Sequence, residues 1–291
     1  MEMGFSRSWS AFLVLALAWS TSIRAEAPYS LDRRLDLSLL SSGLIFRGYA
    51  EQQHRVGIED AAEVPELSPG EVPVFDRWSL GYRSMRLDRW STRTGDILMA
   101  FPAALTLWDI ATASEPPSAI GRDLVIGAEV FCFASALPLL SKAWIERPRP
   151  MAYDPRLSTG QETSGDADAS FFSAHTTGAF AAAVFTGYTF QLKHPDSPLA
   201  PWIWSGTLGG AAAVGAMRIY SGKHFFSDVA VGALAGSACG YVIPRLHLNR
   251  VARSAKKPGN RSGWHLETNL EPALLWASAA ERPVPGVVLM F

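Results

Sequence analysis

Hydrophobic positions in the second half of the chain gather into five stretches, at residues 97–113, 124–140, 171–192, 202–217 and 229–243. Each is 15 to 22 residues long by these boundaries, and Asp109 and Glu129 interrupt two of them. Ala and Gly dominate the last three, the composition of helices whose backbones approach one another closely. Glu115-Pro116-Pro117 and His194-Pro195-Asp196-Ser197-Pro198 are breakers between helices. The pattern predicts an all-α helical bundle with about five membrane-spanning helices, although a soluble helical bundle carries the same periodic stretches. The first 95 residues read differently. Arg7 precedes a short apolar run at 11–19, followed by Ala25 and Ala27 as cleavage candidates. That run is shorter than the roughly 20 residues a span requires, so residues 1–25 read as an export signal. Within 26–95, residues 37–49 predict a short helix and 63–73, with three prolines and Gly70, a loop. Residues 75–90 alternate bulky and charged side chains like a helix lying on a surface. The resulting division is 1–25 signal, 26–95 periplasmic N-terminal segment with short helices, 96–244 helical core, and 245–291 basic tail. The tail also carries two short apolar runs, 274–276 and 287–291, that read as a hairpin.

Charge decides the orientation. After the last apolar stretch come Arg245, Arg250, Arg253, Lys256, Lys257 and Arg261 with no acid among them. Positive residues close to the end of a membrane helix favour the cytoplasm. With the tail inside, the five stretches alternate so that three polar clusters reach the same outer side. These are Lys142 to Pro150, Ser170 to Thr177, and Arg218 to Asp228. The same parity places Asp109 and Glu129 near the cytoplasmic halves of neighbouring helices, within reach of water or of each other. Over the whole chain 26 Lys+Arg face 27 Asp+Glu, a net charge of -1, which leaves no basic field for nucleic acid. Apolar residues make up 48% and charged ones 18%, so the chain has ample material for a core. Two cysteines, Cys132 and Cys239, exclude a disulfide-dense fold or a Cys-rich zinc module and read as buried thiols.

Convergence of Lys, Arg, His and Asp at one rim is costly unless an anion binds there. Arg offers a planar fork and Lys a point charge to phosphate oxygens. Ser173 and the amides of Ala174 and His175 stand at a predicted helix N-terminus, where free N–H groups favour an anion. His224 and Asp228 are spaced i, i+4, so a helical turn would let the carboxylate accept from the imidazole and leave its other nitrogen free to attack phosphorus. His175 supplies a second imidazole, suited to protonating a departing alkoxide.

Three elements in order then carry a family resemblance: Lys142-x6-Arg149-Pro150, Phe172-Ser173-Ala174-His175, and Met217-Arg218-x5-His224-x3-Asp228. They resemble the type 2 phosphatidic acid phosphatase superfamily, which also includes bacterial class A acid phosphatases and vanadium haloperoxidases. The resemblance covers roughly residues 96–244. It implies that His224 is the nucleophile forming a phosphohistidine, oriented by Asp228, and that His175 is the general acid. It further implies that Lys142, Arg149, Ser173, Ala174 and Arg218 hold the phosphate oxygens, and that hydrolysis needs neither metal nor cofactor. Against the family pattern, Ala174 stands for Gly, Phe172 for Pro and Met217 for Ser; no charged or titratable participant is lost. Arg147, two residues out of register, reads as solvated or paired with Glu146, and Lys223 as surface charge. His54, His194, His247 and His265 read as surface residues, and Tyr220 and Trp144 as packing groups. The expected function is hydrolysis of a lipid phosphomonoester or pyrophosphate at the outer face of a bacterial inner membrane. A soluble periplasmic acid phosphatase and a silent membrane protein binding anionic headgroups are the alternatives.

Overall fold

The computed structural model describes residues 28–60, 67–112, 114–154 and 169–248, all within one compact unit, Met1–Ala255. The expected signal, part of the 63–73 loop, most of the basic tail, His265 and the expected hairpin lie outside the described residues. Six helices follow one another: α1 (Arg33–Asp60), α2 (Met85–Ala111), α3 (Ala119–Trp144), α4 (Ala174–Lys193), α5 (Ala200–Tyr220) and α6 (Phe226–Leu246). Three single 3-10 turns, Pro69–Glu71, Arg77–Ser79 and Pro150–Tyr153, fill the connections. The architecture is an all-α bundle, with only two isolated bridges, Tyr29 to Leu248 and Arg147 to Ala169, among the described residues.

Local chemistry explains where the helices begin. The carboxylate of Asp32 accepts from the amides of Arg34 and Leu35 at 2.8 and 3.2 Å, capping α1 well before the expected start at residue 37. Ser84 accepts from the amide of Leu87, so α2 begins inside the stretch read as a surface helix and runs unbroken past residue 96. The boundary drawn at 95/96 therefore falls within a helix. What changes there is only the polarity of the helix, from Arg86, Asp88, Arg89 and Arg93 to an apolar run. Ser173 caps α4 by accepting from the amide of Thr176.

All five apolar stretches are helical, but among the described residues two helices, not five, are long and apolar enough to cross a membrane: α3 and α6. The charged first half of α2 removes it from this class. In α4 and α5 the mean hydropathy is diluted by Thr176, Thr177, Thr186 and Thr189 and by Ser205, Gly206, Thr207, Gly209 and Gly210. The four threonines of α4, with Thr207 and Gly210 of α5, serve packing instead. Ala179, Ala182 and Ala183 of α4 join Ala211 and Val214 of α5 and Leu98 of α2 in one buried cluster. A second cluster unites Ile126, Val130 and Ala134 of α3 with Ala181 and Phe185 of α4 and Cys239 and Ile243 of α6.

The closest approach is between α4 and α6. Gly232, Gly236 and Gly240 form a stripe along α6 that lies on the backbone of Ser173, Thr177 and Ala181. A Cβ at Gly232 would stand 2.9 Å from the Ser173 carbonyl, and at Gly236 or Gly240 it would overlap the facing carbonyl outright. At the end of the bundle remote from the three polar clusters, Lys193 Nζ lies 2.5 Å from Asp123 Oδ2 and 3.8 Å from Asp109. His194, read as a surface residue, is instead half-buried, with Nε2 3.0 Å from Asp109 Oδ1. Asp109 and Glu129 do not meet: the first serves this cluster, the second pairs with His247.

The glycine stripe yields a direct expectation. Gly236→Ala forces the two backbones apart and destabilises the protein by roughly 1–3 kcal/mol, the usual cost of overpacking. Thermal unfolding of detergent-solubilised protein measures it, with Gly206→Ala, which faces open space, as the control expected to melt no lower than wild type.

Candidate active site

The end of α3, the start of α4, the end of α5 and the start of α6 bring the predicted residues together around His224. The loop that carries His224 is pinned from several sides. Arg218 O accepts from the amides of Lys223 and His224, and Gly222 O accepts from Met151 N at 3.0 Å. Gly222 has φ +75°, and a Cβ there would overlap the carbonyl of Tyr82, so only glycine fits. His224 is almost wholly buried (1% exposed).

Its ring is oriented by a backbone group. Nδ1 stands 2.7 Å from the Ser170 carbonyl, which can only accept, so Nδ1 carries the proton and Nε2 holds the lone pair. Burial pushes the pKa of His224 well below 6.5, and the positive fields of Arg218, Arg149, Lys142 and His175 push in the same direction. The imidazole is therefore neutral at neutral pH, the state a nucleophile needs. The same four groups are those the three motifs were expected to bring together. Arg149 and Arg218 are buried, while Lys142 and His175 are partly exposed.

Asp228 differs from expectation. Its Oδ2 is 3.7 Å from His224 Nδ1, too far for a hydrogen bond. His224 precedes α6 and is not on its first turn, so the i, i+4 geometry does not form. The carboxylate is used differently: Oδ2 accepts from Ser170 Oγ at 2.5 Å and from the amide of Phe225 at 2.8 Å. It thereby holds Ser170, whose carbonyl holds the histidine. Oδ1 accepts from Arg147 Nη1 at 2.5 Å.

Arg147 is neither solvated nor paired with Glu146. Its Nη2 donates to Asp76 Oδ2 at 2.7 Å, and its guanidinium lies 4.1 Å from the centre of the Phe225 ring. Asp76, fully buried, also accepts from the amide and hydroxyl of Ser227. Asp76, Arg147 and Asp228 thus form a buried ion-pair chain under the nucleophile loop. A second residue missed in the sequence, Asp88, pairs with Arg218 through Nη1. Thr92 Oγ1 lies 3.2 Å from His175 Nε2. Asp76, Asp88 and Thr92 all come from residues 76–92, where alternating charge was the only signal and gave no partner. Ser173 is buried, and its hydroxyl caps α4 and accepts from Thr176 Oγ1 at 2.9 Å, while Ala174 opens the helix. Lys223 is partly exposed, Tyr220 packs edge-on against Tyr82 at 4.9 Å, and Trp144 is exposed.

Cationic groups, a fixed neutral imidazole and a second imidazole thus gather around one loop, an arrangement able to hold an anion beside a lone-pair nitrogen. The chain is similar to several known proteins. The family model described as the PAP2 superfamily matches residues 123–252. Decaprenylphosphoryl-5-phosphoribose phosphatase of Mycobacterium tuberculosis, from strain CDC 1551 / Oshkosh and from strain ATCC 25618 / H37Rv, is 33% identical over 120 residues. That match takes in 41% of this chain and 58% of each relative, so the chain spans well under two thirds of their length. A solved structure, the first transmembrane PAP2 type phosphatidylglycerolphosphate phosphatase from Bacillus subtilis, aligns with 77% of this chain and 98% of its own at 18% identity and a TM-score of 0.41. Residues 123–252, the stretch that carries the three motifs, match the PAP2 superfamily, the type 2 phosphatidic acid phosphatase family.

The buried neutral histidine makes stability depend on pH. Because the folded pKa of His224 is depressed below 6.5, the unfolded chain binds the extra proton first. Its contribution is complete above pH 6.5 and is lost as pH falls towards the folded value. His224→Gln is expected to flatten the acid limb of a melting-temperature profile relative to wild type. Superimposable acid limbs would contradict a buried neutral imidazole.

Proposed function

We propose that the protein is a phosphatase that hydrolyses a phosphomonoester or pyrophosphate of a lipid through a phosphohistidine. The observation that carries this reading is the 2.7 Å hydrogen bond fixing Nδ1–H of His224 on Ser170. It leaves Nε2 as a lone pair in a field set by Lys142, Arg149, Arg218 and His175. In the first step Nε2 attacks phosphorus and the bond from phosphorus to the leaving oxygen breaks, with His175 giving that oxygen its proton. In the second, water attacks the phosphohistidine while His175 takes the proton back, releasing phosphate and restoring His224. Lys142, Arg149 and Arg218, with the amides at the start of α4, hold the phosphate oxygens as charge builds on them. Asp228 acts through Ser170 and the Phe225 amide as a positioning residue. The positive side chains neutralise the phosphate, so the reaction requires no metal.

Two further features support a lipid substrate at the outer membrane face. The relatives from Mycobacterium tuberculosis are decaprenylphosphoryl-5-phosphoribose phosphatases. The segment that supplies Asp76 and Asp88 also exposes Phe75, Trp78, Tyr82 and Trp90 beside Arg77, Arg83, Arg86 and Arg89. Aromatic and basic side chains together suit the headgroup layer of an anionic membrane. Orientation needs only α6: with the basic tail in the cytoplasm, its first turn and His224 face the periplasm. A reporter fused after Arg253 is accordingly expected to behave as cytoplasmic and one inserted within 155–168 as periplasmic. Recovery of the intact protein from the periplasm without detergent would refute the membrane location and leave the chemistry standing.

The two histidines separate by leaving group. His224→Ala abolishes turnover on every substrate. His175→Ala loses on the order of 10²–10⁴-fold on an alkyl phosphate but far less on an aryl phosphate whose phenol leaves without a proton. It still traps phosphate on His224 with the aryl substrate, hydrolysis continues in chelator, and vanadate inhibits. If His175→Ala abolishes both activities equally while His224→Ala spares the aryl one, the roles are reversed.

A further inference from the structure

Away from the phosphatase site, three acid–base side chains meet in the interior with no electrical or hydrogen-bond closure. Asp36 enters from the first turn of α1, Glu129 from the middle of α3, and His247 from the residue that ends α6. They are 5%, 0% and 1% exposed. His247, read from the sequence as a surface residue, is buried because the chain entering the bundle pairs with the chain leaving it. Ser30 N donates to His247 O at 2.8 Å, and Tyr29, bridged to Leu248, reaches Thr189 Oγ1 through its hydroxyl at 3.0 Å.

The side chains satisfy one another only in part. His247 Nε2 is 2.6 Å from Glu129 Oε2, a hydrogen bond. His247 Nδ1 and Asp36 Oδ1 are 3.4 Å apart and do not form one. Among the described residues Glu129 Oε1, Asp36 Oδ1 and His247 Nδ1 are buried with no hydrogen-bond partner, one atom on each of the three residues. No Lys or Arg among the described residues pairs with either carboxylate. Even with a charged imidazole, two carboxylates leave a net negative charge, which is expensive in the interior. The contrast within the molecule is direct, since Asp228 and Asp123 are both met by cations and donors.

We propose that Asp36, Glu129 and His247 form a site for one first-row divalent cation of the zinc class, which fastens α1 and the end of α6 to α3. One ligand atom from each residue lies within 4.8 Å of the other two, so side-chain movement of about 1 Å brings all three to the roughly 2.0–2.2 Å such ions require. A neutral imidazole with two carboxylates balances a divalent charge. The ion takes the place of the proton now shared by His247 and Glu129. The mixed nitrogen and oxygen donor set favours Zn²⁺ or Mn²⁺ over Ca²⁺, which takes six to eight oxygens. The role is structural: nineteen residues of helix at about 1.5 Å each separate His247 from Asp228, some 28 Å.

The test uses the full chain, solubilised in detergent, stripped with chelator and then equilibrated with Zn²⁺, Mn²⁺ or Co²⁺. Wild type is expected to retain about one ion per chain by elemental analysis, to melt higher when loaded, and to show visible absorption with Co²⁺. Asp36→Asn and His247→Gln lose the bound ion and the metal-dependent rise in melting temperature. Glu129→Gln, nearly isosteric, provides the same reading should either of these fail to fold. Aryl phosphate hydrolysis well below the melting temperature is equal in stripped and loaded protein. Wild type that neither retains an ion nor melts higher with any of the three overturns the site, as do variants that bind like wild type. Activity that follows metal content while the melting temperature stays fixed overturns the structural role.

Discussion

Everything at the candidate site depends on how closely two helix backbones can lie. The stripe of Gly232, Gly236 and Gly240 removes three side chains from α6 and lets it rest on the carbonyls of Ser173, Thr177 and Ala181. That contact sets the first turn of α6 beside the first turn of α4, where the Ser173 amide donates to the Asp228 carbonyl at 3.2 Å. With bulkier residues the N-terminus of α4 and the loop that carries His224 would separate by more than a hydrogen bond can bridge. The stripe is therefore a requirement of the chemistry as well as of the packing.

Around that contact His224 is positioned by relay. Its proton goes to a backbone carbonyl, the carbonyl belongs to Ser170, and the hydroxyl of Ser170 is held by Asp228. Asp228 is in turn fixed by Arg147, and Arg147 by Asp76. A carbonyl acceptor fixes the tautomer as firmly as a carboxylate would, yet places no negative charge against the ring to stabilise its protonated form. That agrees with an imidazole kept neutral by burial and by the cations around it.

Much of this was legible in the sequence, for identifiable reasons. Five helices were visible because long apolar runs between proline breakers have few other solutions, and the three motifs could be read because each clusters its chemistry within a dozen residues. What the pattern did not show were interactions across long separations. Asp76 and Asp88 looked like ordinary surface acids, since nothing local distinguishes a carboxylate that meets Arg147 or Arg218 from one that meets water. The extent of α2 was hidden by its polar first half, which faces the site and so lacks apolar periodicity. His247 was misread for a similar reason: a single histidine after a helix looks exposed until the chain ahead of α1 is laid against it. Spanning length was overestimated because alanine-rich and threonine-rich helices resemble membrane helices in periodicity while serving as internal struts.

The order of the site's components along the chain bears on how it comes into being. Asp76 and Asp88 precede α3, Arg147 and Arg149 follow it, Ser170 and His175 flank the start of α4, and Arg218, His224 and Asp228 come last. Each link of the relay from Asp76 through Arg147, Asp228 and Ser170 to His224 joins segments more than fifty residues apart. During synthesis Asp76 and Asp88 must wait for partners more than seventy residues away, as Asp76 waits for Arg147. Such long-range closure carries a large loop-entropy cost before any contact repays it. The reactive imidazole thus becomes buried and neutral only when the last helix docks, which makes competence an all-or-none property of the completed bundle.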